Sequence, residues 1–358
     1  MKAVLMLADG KSFSGEAFGS SAEKCGEVIL NTAVVGYQEM ATEPANAGKI
    51  LVLTYPLIGN YGTAPKFSQS KKVWLSGLVI KEKSRIYSNW QAKSGFEDFA
   101  EANKLLVLSS IDTRTLAVHL RQKGEMPGII STNCFNSKEL LGKLENWRKN
   151  NKKSRLPEIS VNKITQATKA KGKSIAILDL GVTAGLLRQL ELLGLSATLL
   201  PYNSPAKDIL RLRPKGLIIS DGPEEDSGLK EAAANVKELI GRLPILGIAT
   251  GSQVLAAALG AKINKLKLGH RGVNYPVYNP ASYKGEITVQ NHCQVIDADS
   301  LGKVRNVKIS AYNLNDRSVE EFESRKLKFL GVQYIPACPG FDEINRVFTR
   351  FLKISKNE

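Results

Sequence analysis

The sequence has few cysteines and lacks a long apolar run. The 358 residues include four scattered cysteines without the paired spacing of a zinc site, so we expect reduced thiols and no metal centre. Every apolar run is shorter than the roughly 20 residues that a membrane helix needs. The first apolar run meets Asp9 too early for a signal sequence. These absences predict a cytoplasmic protein without a membrane segment.

Acidic residues are also few compared with basic ones. The chain has 34 Asp and Glu against 50 Lys and Arg, and its formal net charge is +16. A basic chain of this kind can carry a nucleic-acid interface. However, the lysines are spread through both halves, and the densest basic run, residues 148–155, has no interleaved aromatic residue beyond Trp147. A solvated surface, or one that faces an acidic partner protein, therefore explains the charge better than nucleic-acid binding does.

Residues 1–135 have the pattern of short strands joined by turns. Residues 3–7 and 12–19 flank an Asp-Gly pair, which predicts a β-hairpin. Residues 110–124 predict a capped helix that ends at a glycine. His119 lies on this helix, and we interpret it as a packing or surface residue rather than a catalyst.

A polar, basic and weakly periodic stretch then separates two halves of the chain. We place the domain junction at residues 136–173, with a helix before the linker, so that the predicted domains are 1–135 and 174–358. In the second domain, apolar strands alternate with helical patterns. This alternation predicts a doubly wound parallel sheet, whose active sites lie at the carboxyl ends of the strands.

One stretch of this second domain, residues 243–260, has the pattern of a buried strand that turns sharply into a helix. Gly247 and Gly251 allow backbone to pack where a Cβ would clash. A turn of this kind normally presents a nucleophile above the sheet. The residue at its tip is Ala249, and a methyl group cannot attack a carbonyl.

The turn resembles the nucleophile elbow of class I glutamine amidotransferases, which reads Gly-Ile-Cys-Leu-Gly-His-Gln, with Ala249 at the position of the cysteine. Further strings resemble the small subunit of carbamoyl phosphate synthase over nearly the whole chain. These strings are Asn31-Thr32-Ala33, Gly36-Tyr37-Gln38-Glu39, Leu53-Thr54-Tyr55-Pro56, Lys267 to Val277, and Gln290-Asn291-His292.

The resemblance implies an α/β protein. It would have an N-terminal β-rich small-subunit domain and a C-terminal doubly wound, mainly parallel sheet of the class I glutamine amidotransferase type. It also implies a large-subunit partner that carries the ATP-dependent chemistry with magnesium, and no cofactor in this chain. The family supplies carbamoyl phosphate for arginine or pyrimidine biosynthesis.

The same resemblance implies that no catalytic residue is intact. The family's His-Pro-Glu, which supplies the base and its orienting acid, aligns with Ile335-Pro336-Ala337. Its Asn-Gly-Pro-Gly oxyanion loop aligns with Asp221 to Glu224, and a carboxylate at Glu224 has the wrong sign to stabilise a developing negative charge. We expect glutamine binding to be lost as well as turnover. The remnant of the glutamine pocket comprises Ala33, Gly222, Glu224, Thr250, Gln253, Asn291, Cys293 and Gln294.

Three functions stay open at this point. The first is a catalytically silent small subunit that stabilises or regulates the large subunit, with free ammonia as the nitrogen source. The second is a glutaminase or amidohydrolase that uses a relocated nucleophile, Cys293 or Cys338, near His292. The third is a basic binding module for an acidic partner. The resemblance favours the first, and it gives His270 and His292 structural or pocket-lining roles.

Overall fold

The computed structural model describes residues 1–150, 153–338, 340 and 343–356. The chain forms two compact units. Unit 1 is Met1–Lys153 with Lys267–Arg271, and unit 2 is Ser154–Leu266 with Gly272–Glu358. Asn151 and Lys152, which belong to the predicted basic linker, lie outside the described residues.

Unit 1 is built around a closed β-barrel with the strand order β1-β2-β8-β6-β4-β3-β9. Its strands are β1 (Lys2–Leu7), β2 (Ser12–Phe18), β3 (Glu23–Asn31), β4 (Ile50–Leu53), β5 (Leu57–Ile58), β6 (Gly77–Val79), β7 (Glu82–Lys83), β8 (Val107–Ser109) and β9 (Met126–Ser131). β1 and β2 pair antiparallel, which confirms the predicted hairpin. β5 and β7 form a separate short parallel pair.

Four helices of unit 1 are α1 (Tyr37–Thr42), α2 (Phe96–Ala102), α3 (Thr113–Lys123) and α4 (Ser137–Asn150). The side chain of Asp112 caps α3 by accepting a hydrogen bond from the backbone N of Thr115, and Gly124 ends this helix with φ +101°. Leu140 and Leu144 of α4 pack in one cluster with Val4 of β1 and Ile129 of β9. α4 is therefore part of unit 1, because its apolar face is buried on the barrel.

Unit 2 is an α/β unit on a ten-stranded sheet of order β10-β12-β11-β13-β14-β19-β18-β17-β15-β16. The strands are β10 (Thr165–Gln166), β11 (Ser174–Asp179), β12 (Ser196–Pro201), β13 (Leu217–Ile219), β14 (Ile245–Ile248), β15 (Ile263–Asn279), β16 (Lys284–Ile296), β17 (Lys308–Asn313), β18 (Val319–Ser324) and β19 (Phe329–Val332). The helices are α5 (Leu156–Ile159), α6 (Ala184–Leu192), α7 (Ala206–Arg211), α8 (Leu229–Lys237), α9 (Thr250–Ala258), α10 (Ala298–Gly302) and α11 (Arg346–Lys356).

Helices cover both faces of this sheet. α7, α8 and α9 bury their apolar sides in one hydrophobic cluster, and α6 and α11 bury theirs in another. β12, β11, β13, β14 and β19 pair in parallel, as expected for strands that are buried on both faces. The predicted doubly wound sheet is therefore confirmed. β18 and β17 extend it with antiparallel pairs.

Within the described part of the chain, none of the helices combines the length and the apolar character that crossing a bilayer requires.

Candidate functional site

The turn between β14 and α9 is the centre of the candidate site. Ala249 lies at its tip with φ 46° and ψ −112°, a left-handed conformation that residues other than glycine rarely adopt. Its methyl group is buried, with 1% of the residue exposed. Its backbone N donates a hydrogen bond of 2.8 Å to the carbonyl O of Val332 in β19. The strained strand-to-helix turn is thus present, with a hydrocarbon where a nucleophile would be.

Two glycines make this turn sterically possible. A Cβ on Gly251 would lie 2.1 Å from the backbone O of Ile219 in β13. A Cβ on Gly247 would lie 2.7 Å from the backbone O of Gly251. Both distances are far below van der Waals contact, so these positions require glycine for the close approach of backbone to backbone.

Hydrogen bonds on the helix side hold the turn in place. The backbone N of Ser252 donates to the carbonyl O of Ala249 over 2.9 Å, and the Ser252 hydroxyl lies 2.7 Å from the same oxygen. The hydroxyl is also 3.1 Å from Oε1 of Gln333, whose Nε2 donates to the carbonyl O of Gln294 over 3.1 Å. A polar network therefore fixes the start of α9.

Asp221 lies beside the tip, at the end of β13. Its Oδ1 accepts hydrogen bonds from the backbone N of Gly222 (2.7 Å) and of Thr250 (3.2 Å). Its Oδ2 is buried and has no hydrogen-bond partner among the described residues. Burial, with a smaller contribution from the charge of Glu224, raises the pKa of the Asp221 carboxyl to about 6. The amide of Gly222 and that of Thr250, the residue after the tip, thus already bind this carboxyl group.

Glu224 lies three residues further along the same loop. Its carboxylate accepts hydrogen bonds from the backbone N of Cys293 (2.7 Å), the backbone N of Gln294 (2.9 Å) and Nε2 of Gln253 (2.9 Å). We expected Glu224 to be the acid that interferes with an oxyanion. The structure places Asp221 on the amides at the tip instead. The sequence signal was an Asp where the family's loop has Asn, a change that leaves the hydrogen-bonding oxygen in place and adds a charge.

The positions that align with the family's base and orienting acid carry only hydrocarbon. Ile335 is half-buried, and its backbone N donates to the carbonyl O of Val289 over 2.8 Å. The backbone O of Ala337 accepts from Nδ2 of Asn345 over 3.0 Å. Neither side chain can accept or orient a proton.

His292 lies in β16 beside the residues that hold Glu224. Its Nδ1 is 3.0 Å from the carbonyl O of Gln294, and its Nε2 is 3.1 Å from Oε1 of Gln290. Both ring nitrogens therefore contact oxygens that fix the ring. Asn291 and Cys293, on either side of it, are buried, and Cys338 is half-buried. A replacement thiol at Cys293 or Cys338 stays a prediction.

A cavity of about 540 Å³ lies between α8 and α9. Its lining includes Leu229 and Ala233 of α8, Val254 of α9, and the polar side chains of Gln253 and Gln294. Gln253 and Gln294, which both donate hydrogen bonds to Glu224, thus border a space of the size that small ligands occupy.

The remaining candidate residues belong to unit 1. Ala33 is buried, and its backbone N donates to Oδ1 of Asn31 over 2.8 Å. The ring of Tyr37, which belongs to one of the strings recognised in the sequence, stacks on that of Tyr61 at 4.3 Å. His119 is half-buried, and its Nε2 is 2.7 Å from Oδ2 of Asp9; its assignment as a packing or surface residue stays a prediction.

Comparisons with known proteins match both halves of the chain. A family model described as "Carbamoyl-phosphate synthase small chain, CPSase domain" matches residues 5–130, and one described as "Glutamine amidotransferase class-I" matches residues 176–338. The carbamoyl phosphate synthase small chain of Syntrophotalea carbinolica is 36% identical over 366 residues, covering 98% of this chain and 97% of the relative. The chain belongs to the carbamoyl phosphate synthase small-chain family. The resemblance stated from the sequence is therefore confirmed.

Two further small chains give the same result. That of Symbiobacterium thermophilum is 38% identical over 355 residues, which are 97% of this chain and 97% of the relative. That of Clostridium perfringens is 36% identical over 354 residues, which are 99% of each chain. In this member of the family, the part that matches the glutamine amidotransferase model keeps the strained turn and carries Ala249 at its tip.

Proposed function

We propose that the chain is a catalytically silent small subunit of carbamoyl phosphate synthase. In this function it binds the large synthetase subunit as a structural or regulatory partner, and free ammonia replaces glutamine as the nitrogen source. The large subunit would hold ATP and magnesium, and the carbamoyl phosphate would feed arginine or pyrimidine biosynthesis. The names of the relatives and their full-length similarity support the partner.

The observation that carries this proposal is the methyl group of Ala249 at the tip of the strained turn. Amide hydrolysis on this scaffold requires a nucleophile, a base that takes its proton, and donors that stabilise the oxyanion. The tip offers a methyl group, Ile335 and Ala337 offer no base, and the nearby amides of Gly222 and Thr250 bind the carboxylate of Asp221. The proposal therefore rests on the lack of a nucleophile and of a base at these positions, and on two amide donors that are already occupied.

The test is a comparison of nitrogen donors. The native chain is purified with its large subunit, and carbamoyl phosphate synthesis is measured with either ammonium or glutamine as the only nitrogen source. We expect synthesis from ammonium alone. Synthesis from glutamine at a comparable rate contradicts the proposal, and failure to co-purify with a large subunit contradicts the partner role.

A second measurement addresses the relocated nucleophile. Glutamate release from glutamine is assayed for the isolated wild-type chain, with C293S and C338S as matched variants. We expect no release from any of the three. Release by the wild type that is lost in one variant would identify that thiol as the nucleophile.

The basic-module alternative makes a different prediction. A protein that binds nucleic acid through lysine–phosphate contacts loses affinity steeply as salt rises. Retention on a nucleic-acid column with a steep salt dependence, in the absence of a large subunit, would favour that alternative over the proposed function.

A further inference from the structure

The carboxylate of Glu224 is held in the way in which proteins hold a bound anion. It accepts two backbone N–H groups of β16, from Cys293 and Gln294, and the side-chain amide of Gln253 in α9. All three donor–acceptor distances lie between 2.7 and 2.9 Å, the range of charge-assisted hydrogen bonds. Three donors from two different elements therefore converge on one carboxylate.

A second carboxylate of the same loop is held similarly. Oδ1 of Asp221 accepts from the backbone N of Gly222 and of Thr250, the first residue of α9. Thr250 also donates its hydroxyl to the carbonyl O of Gly222 over 2.8 Å, which fixes the loop against the helix start. Oriented amides at a helix N-terminus attract negative charge. Two acids of this chain thus occupy two neighbouring sets of anion-binding donors.

We propose that Glu224 and Asp221 are intramolecular ligands that occupy the anion-binding donors of the remnant pocket, and that the donors around Glu224 form a carboxylate-binding site closed by the chain itself. This inference rests on the proposed function, because a subunit that has no use for glutamine has no need for an open pocket. Under this inference, glutamine binding is lost because its donors are occupied, and glutamine hydrolysis is lost because the nucleophile is absent.

Because Glu224 is attached to the site by the chain itself, it excludes a carboxylate from solution. A group attached through a short linker has an effective concentration of about 1 mM or more at its site. A free carboxylate has to exceed that concentration to displace Glu224. Removal of the side chain beyond Cβ leaves the donors of Gln253, Cys293 and Gln294 in place, and Gln253 and Gln294 border the 540 Å³ cavity. The vacated donors should then accept a small carboxylate from solution.

The experiment uses the full chain, the variant E224A and the matched control E225A. Glu225 is the next residue, is exposed, and binds Nε2 of Gln294 and Nζ of Lys265 rather than the backbone amides. Thermal unfolding is measured in sodium acetate and in sodium chloride at equal ionic strength. We expect saturable stabilisation of E224A by acetate, with an apparent affinity at least about tenfold higher than that of wild type or E225A.

Equal acetate effects in E224A, wild type and E225A overturn the inference, because Glu224 would then be only a structural link in the loop. If E224A does not fold, the isosteric E224Q is used with amide NMR. We expect the backbone amide signals of Cys293 and Gln294 to shift in E224Q, while those of Val254 stay in place. Unchanged signals at both residues contradict the arrangement.

Glutamine binding separates this inference from the proposed function. Calorimetry with L-glutamine is expected to show no binding to wild type and measurable binding to D221N/E224A. Binding of glutamine by wild type without hydrolysis contradicts only the inference. Hydrolysis of glutamine by wild type contradicts the proposed function itself.

Discussion

Two buried acids, one in each unit, are stabilised in different ways. Glu125 in unit 1 forms a two-pronged ion pair with Arg271, at 3.1 Å to Nε and 3.3 Å to Nη2, and both side chains are at most 2% exposed. In unit 2, Oδ1 of Asp221 accepts from the backbone amides of Gly222 and Thr250, and its Oδ2 has no hydrogen-bond partner among the described residues. Glu125 thus has a charged partner, whereas these partners of Asp221 are neutral.

The two acids also differ in where they lie, one against a string that resembles the family and one beside the turn at Ala249. The pair joins Glu125, the residue before β9, to the stretch around Gly269, whose backbone N also donates to Glu125 over 3.2 Å. Gly269 and Arg271 belong to the string Lys267 to Val277, which resembles the family. The carboxyl of Asp221 lies on the backbone amides of Gly222 and Thr250, but its burial raises its pKa, so its surroundings disfavour the charged form. Both oxygens of Glu125 thus contact Arg271, whereas one oxygen of Asp221, beside the turn, has no hydrogen-bond partner among the described residues.

The largest expected effect on the free energy of unfolding comes from removing the carboxylate of Glu125. E125A leaves the guanidinium of Arg271 buried without its carboxylate, so we expect the free energy of unfolding to fall by about 3 to 5 kcal/mol. Urea denaturation at pH 7 measures it. The control is E139A, which removes an exposed i,i+4 partner of Lys143 on α4 and should leave the midpoint unchanged. If E125A lowers the unfolding midpoint as little as E139A does, the buried ion pair of Glu125 does not stabilise the fold, and the contrast with Asp221 is wrong.

The next effect is on Asp221 and depends on pH. Its pKa of about 6 in the folded chain exceeds the ordinary value of 3.8, so the folded state favours the protonated acid. That stabilisation is complete below pH 3.8 and is lost as pH rises through 6, which costs up to about 3 kcal/mol at neutral pH. D221N avoids this cost and keeps an oxygen for Gly222 and Thr250.

We therefore expect D221N to be more stable than wild type at pH 7 and to lose that advantage below pH 4, as measured by denaturant midpoints across this range. D208N, which neutralises a half-buried acid on the surface of α7, controls for the general loss of a negative charge. An advantage of D221N that does not change with pH would contradict the assignment of the raised pKa.

The smallest effect is on the backbone of the turn. A249G relieves a left-handed strain that is worth about 1 to 3 kcal/mol, against an entropic cost of about 0.4 to 1 kcal/mol, so we expect net stabilisation of about 1 kcal/mol. A257G, at an exposed position inside α9, should instead destabilise by about 1 kcal/mol. Equal destabilisation by both would show that the turn stores no strain.

The sequence was sufficient to predict local structure wherever a pattern repeats or a residue has few alternatives. Alternation across Asp9-Gly10 predicted the β1–β2 hairpin, and the cap and the final glycine of residues 110–124 predicted α3. The sharp strand-to-helix turn at Ala249 was predictable too, from Gly247 and Gly251 on either side of it. These predictions use only residues that are close along the chain.

Other features depend on residues that meet only after folding. The closure of the barrel, the antiparallel strands beyond β19, and the grouping of Lys267–Arg271 with unit 1 have no local signal. Long-range pairing decides them, because a strand pattern does not name its partner.

The sequence by itself determined that the tip of the turn is a methyl group and that hydrocarbon replaces the base and its orienting acid, because side-chain chemistry is fixed by residue identity. Only the tertiary structure decided which donors the acids of the loop reach. Glu224 and Asp221 are three residues apart, yet one binds β16 and the other the start of α9. Hydrogen bonds act over about 3 Å, so their partners follow from the fold and not from the order of the residues.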